Sequence, residues 1–112
     1  VQGKNKLEDD QIKNVPELNM YLFSVRYKIE IEIRKIWENS IGNHNLKKKT
    51  PLFQMLRELF ANDYIDINLY EPHKEILAIT SLGIHGEKIS DIQSSFVKDI
   101  APRLIATLEE KK

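Results

Sequence analysis

The stretch LNMYLFSVRYKIEIEIRKI, residues 18–36, decides the fold because it can be read with either of two periods. Its second half, KIEIEIRKI, alternates apolar and charged residues strictly from Lys28 to Arg34, as an exposed strand would. Over the whole stretch, however, Leu18, Leu22, Val25, Ile29, Ile33 and Ile36 recur at steps of three and four. At 100° per residue these six fall within roughly 80° of arc, the width of one core-facing helical stripe. The longer pattern therefore predicts a helix of about six turns. Arg26 and Glu30, and Glu30 and Arg34, support it as opposite charges four residues apart. The helix carries a second apolar row. Met20, Phe23, Tyr27 and Ile31 cluster about 180° from the first by the same periodicity. A helix in a bundle needs one stripe, so the second is expected to be a partner-binding patch.

Working outward, helical order is expected to start near Pro16, whose fixed φ suits a first turn. Residues 1–14 are polar with little periodicity and read as a linker or arm, leaving 15–112 as a single helical domain. Leu7 and Ile12 of that arm offer another way to cover the second row, by folding back over it. Residues 39–50, NSIGNHNLKKKT, read as a loop. Thr50 and Pro51 supply an N-cap and a first-turn proline for a second helix with Leu52, Met55, Leu56, Leu59 and Phe60 on one face. Asp66 caps a third helix running to about His85. In it Pro72 produces either a kink or a late start near residue 71, and Gly86 ends it in the left-handed conformation. Ser90 to Gln93, SDIQ, is a capping-box pattern, and the last helix is expected to turn Ile92, Phe96, Ile100, Leu104 and Leu108 inward and to bend at Pro102. Four helices joined by short loops make an all-α, up-and-down four-helix bundle the simplest architecture.

Composition excludes several classes of function. With 112 residues the chain is the size of one domain. Seventeen basic and seventeen acidic residues give a net charge of zero, which removes the long-range pull of a dedicated nucleic-acid binder and makes nucleic acid an unlikely partner. No apolar run spans a bilayer. Cysteine is absent, and His44, His73 and His85 lack the spacing that sets two ligands on one helical face, so neither a metal nor another cofactor is expected. The absent cysteines fit a cytoplasmic setting. The chain starts with Val, which suggests a piece of a longer protein. Lys47, Lys48 and Lys49 read as a solvated loop rather than a phosphate grip, and His73 with Lys74 as an exposed turn of helix. Trp37, Tyr21 and Tyr27 read as packing or interface residues rather than a base-stacking platform.

The long first helix, the segment TPLFQMLRELFANDYID (50–66), and a third helix ending in HGEKIS (85–90) ahead of a final helix together resemble HEPN domains (higher eukaryotes and prokaryotes nucleotide-binding). The resemblance covers roughly residues 17–110. Catalytic members carry an arginine, often followed at once by a polar residue, and a histidine separated from the arginine by four to six residues. The pair sits in a dimer cleft and cuts RNA without metal. Here His85 and Gly86 match, but Ala78, Ile79 and Thr80 stand where the arginine would, and Ser81 takes the polar place. A histidine can move protons, yet charge building on the phosphoryl oxygens needs a cation, and losing such a donor costs on the order of a hundredfold in rate. Lys88 and Arg103 are cations elsewhere in the chain, with no spacing that brings them to His85.

The resemblance thus implies a degenerate HEPN-like module, non-catalytic, homodimeric through its first helix, and serving protein interaction within a larger protein. Two alternatives belong to other classes. A metal-independent RNA endonuclease would use His85 as its catalytic residue. A helix-turn-helix DNA-binding domain would need a basic recognition helix, whereas residues 67–85 hold two Glu and one Lys. For His85 itself the favoured reading is structural: a last-turn histidine that donates to free carbonyls and packs its ring under the turn.

Overall fold

The computed structural model describes residues 17–42 and 50–111, so the arm, His44 and the lysine run at 47–49 lie outside the described residues. Four helices make up the described chain: α1 (Glu17–Ser40), α2 (Leu52–Ala61), α3 (Ile67–Ile84) and α4 (Asp91–Glu110). The alternating run falls inside α1, and the 3.6-residue stripe wins. Leu22, Val25, Ile29, Ile33 and Ile36 are buried, with Trp37 added at the end.

The protein is an all-α four-helix bundle. α1 and α3 touch along its middle, with α2 and α4 on either side packed against both. Leu22 lies against Gly83, while Arg26 reaches back to Leu77, Thr80 and Ser81, so α1 and α3 pass in opposite senses. Asp66 and Leu69 lie beside Leu104, Thr107 and Lys111, which sets α4 antiparallel to α3. Up-and-down alternation is thus carried by the three long helices, and the ten-residue α2 bridges α1 and α3. At the α2–α3 corner Phe60 stacks on Tyr70, ring centroids 4.3 Å apart, with the Lys74 ammonium over the Tyr70 face.

Helix ends follow local chemistry. Asp66 Oδ1 accepts from the Leu69 N–H at 3.0 Å, which starts α3 at Ile67 rather than near residue 71. Ser90 and Gln93 exchange both bonds of a capping box, at 3.0 and 3.1 Å. α3 runs through Pro72, and α4 through Pro102. At the end of α3 the Gly86 N–H bonds Gly83 O and the Glu87 N–H bonds Leu82 O, with Gly86 at φ 76°: a Schellman motif. The same pair of bonds ends α2, to Phe60 O and Leu59 O, but there Asp63 holds the left-handed position at φ 63°.

Three expectations need correction. Thr50 does not cap α2. The half-in residue is Pro51, extended at ψ 150°, whose carbonyl accepts from the Met55 N–H, so the Thr50 hydroxyl stands one residue too early to reach the first free donors. In α4, Ile92 is 84% exposed and Phe96 and Ile100 only half-buried, while Val97, Ala101, Leu104 and Leu108 form the seam. A strict four-residue series drifts about 40° per step and winds off the face, so a straight helix seats a row that mixes threes and fours. The third is His73, which is fully buried. It follows Leu69 by four residues and precedes Ile76 by three and Thr80 by seven, all buried, so Pro72 does not turn it outward.

Candidate interaction surface

The second row on α1 stays in the open. Met20 is 58% exposed, Phe23 43% and Tyr27 67%, and Ile31 is half-buried. These side chains form a ridge on the side of α1 that faces neither α3 nor α4, while the opposite side of the same helix is core. Tyr21 is half-buried and Trp37 buried, its indole N–H donating to Glu58 at 2.5 Å across to α2, so of the three aromatics weighed as packing or interface, Tyr27 alone is on the ridge.

Beside the ridge lies a hollow. α1 and α4 diverge enough to leave an open cavity of about 320 Å³, with Val25, Ala101 and Ile105 as its apolar lining and Lys28 and Glu109 among the residues that border it. Ser24 and Lys28 border both this cavity and the shallower hollow around Phe23 and Tyr27, so ridge and groove share an edge. The Ser24 hydroxyl turns inward and donates to Met20 O at 3.0 Å, which keeps that edge low.

The charges on α1 divide between flanks. Glu30 pairs with Arg34 and Glu32 with Lys35, both at 3.4 Å. The Arg26–Glu30 pair expected from spacing does not form. Arg26 instead crosses to α3, donating to Ser81 Oγ at 2.8 Å and lying 3.5 Å from Thr80 Oγ1 and Leu77 O. A cation therefore does stand at the turn where α3 itself has none, supplied by a helix fifty-five residues earlier. Its partners are uncharged oxygens, and the negative end of α3 adds a favourable field.

His85 is the C-cap of α3 and exposed, its backbone N–H bonded to Ser81 O. The ring is not packed under the turn. His73 is the buried histidine: its Nδ1–H donates to Leu69 O at 2.8 Å, and Nε2 has no hydrogen-bond partner among the described residues. Burial holds its pKa below the usual histidine value, opposed in part by the bond to Leu69.

Among the described residues no three His, Asp or Glu side chains converge as metal ligands, and no helix is long and apolar enough to cross a membrane. No protein-family model, curated protein or solved structure matches the chain.

Proposed function

We propose that this chain is a non-catalytic helical interaction module, HEPN-like in its helix order, that pairs with a second copy through the outward face of α1 and serves a larger protein as its dimerisation element. The observation that carries this reading is the exposure of Met20, Phe23 and Tyr27 on a helix that has already spent its other face on the core. The largest contiguous apolar patch on a protein surface is often functional, and a contact with a second copy is the use this reading assigns to it. A zero net charge places no long-range repulsion between two copies.

Light scattering on the unmodified chain and on Tyr27→Glu tests it. The unmodified chain is expected to be a dimer at micromolar concentration, and Tyr27→Glu, which sets carboxylates into a desolvated contact, a monomer. A monomeric unmodified chain would sink the proposal.

The endonuclease reading gains one observation: the Arg26 guanidinium beside Ser81, one helical turn before His85. Its geometry favours a clamp between α1 and α3, because Arg26 is held by Ser81 and lies against Thr80 and the Leu77 carbonyl. Incubation with single-stranded RNA in the presence of chelator separates the two. No cleavage is expected, and cleavage abolished by both Arg26→Ala and His85→Ala would replace the interaction reading with the catalytic one.

A further inference from the structure

We infer that the second copy seats its α1 ridge in the groove between α1 and α4, so that Phe23 and Tyr27 of each copy fill the other's hollow around a two-fold axis running alongside α1. The inference rests on the reading of α1 as a homodimer face and states how that face is built.

Area is the first argument. Side chains of this size bury about 150–250 Å² each when fully covered, so three that are roughly half-exposed offer on the order of 300–400 Å². A stable interface needs about 800 Å² from each partner. The ridge alone falls well short. The apolar surface contiguous with the ridge, across Ser24 and Lys28, is the groove, so a ridge seated in the groove covers more apolar surface than ridge on ridge does.

Shape is the second. A ridge next to a hollow on one molecule is self-complementary only under one kind of two-fold. An axis perpendicular to α1 lays ridge on ridge and leaves both grooves empty. An axis along the Ser24–Lys28 edge exchanges the two sides of that edge, bringing each ridge over the other copy's groove, with the two α1 helices parallel. The alanine at position 101 keeps the floor deep, and Val25 and Ile105 give apolar walls to an aromatic ring.

Charge is the third. Lys28 and Glu109 border the groove, and neither forms an ion pair with another described residue. A phenol carried into an apolar groove needs a hydrogen-bond partner. Glu109 supplies an acceptor for the entering Tyr27 hydroxyl, and Lys28, beside the axis, is long enough to reach the carboxylate across it.

Filling the groove from within tests this. Ala106 borders the groove and is exposed, so Ala106→Trp occupies the hollow without entering the core or touching the ridge. With folding checked by circular dichroism, Ala106→Trp is expected to weaken self-association by at least tenfold in sedimentation equilibrium. A second variant guards against an unforeseen effect on folding: Glu109→Lys added to Tyr27→Glu is expected to recover at least tenfold of the association that Tyr27→Glu loses, because the new carboxylate then meets two cations. An unmodified dimer that Ala106→Trp leaves intact, or a folded double variant that recovers nothing, overturns the groove geometry while leaving the α1 dimer standing. A monomeric unmodified chain overturns both.

Discussion

His73 and His85 exchange the places their neighbours suggest. His85, just before Gly86 at a helix end, is exposed and among the described residues is tied in only through its backbone, whereas His73, next to a proline and a lysine, is fully buried. His85→Ala should therefore leave stability within about 0.5 kcal/mol, as surface changes away from specific contacts usually do, and a thermal melt checks it. His73 should make stability depend on pH. Because burial depresses its pKa in the folded chain, the unfolded chain binds the proton more readily, so its contribution is fully present above the unfolded value near 6.5 and is lost as pH falls below it. Melting curves between about pH 7 and pH 5 should slope downward for the unmodified chain and flatten in His73→Leu, which has nothing to protonate and no orphaned ring nitrogen. An unchanged slope in His73→Leu would assign the acid sensitivity elsewhere.

At the scale of the helix, α1 was readable because six apolar residues repeat over five turns, long enough to outvote seven residues of strand-like alternation. Gly86 was readable as a helix end because glycine is the usual occupant of a left-handed position. The identical end of α2 was not, since Asp63 fills that position there. The seam of α4 was misplaced for a reason internal to the pattern: Ile92, Phe96, Ile100 and Leu104 look like one row, and only the packing of Val97 and Ala101 shows where the face settles. Gly83 carried no sequence signal at all. Its role is steric, for a Cβ there would stand 2.5 Å from Leu22 Cδ1, which is itself fully buried. Gly83→Val should cost about 1–3 kcal/mol by overpacking the α1–α3 contact, measured by denaturant unfolding with an unchanged m-value. A neutral result would mean that Leu22 has room to turn aside. Arg26 was invisible for a different reason: its i+4 glutamate offered a local partner, and the three oxygens that hold it come from α3.

For the whole molecule, the four-helix architecture followed from periodicity and caps, and the ridge from the angle between two apolar rows. The groove did not. It depends on how far α1 and α4 diverge, which no local pattern encodes, and its lining pairs residues some eighty positions apart. If ridge and groove meet in a second copy, folding stability is linked to association, and the melting temperature should rise with protein concentration in the unmodified chain but not in Tyr27→Glu. The most direct test is the mass in solution. Multi-angle light scattering at micromolar concentration should give twice the chain mass for the unmodified protein and a single chain mass for Tyr27→Glu, with both fully helical by circular dichroism. A single chain mass for the unmodified protein would contradict the account.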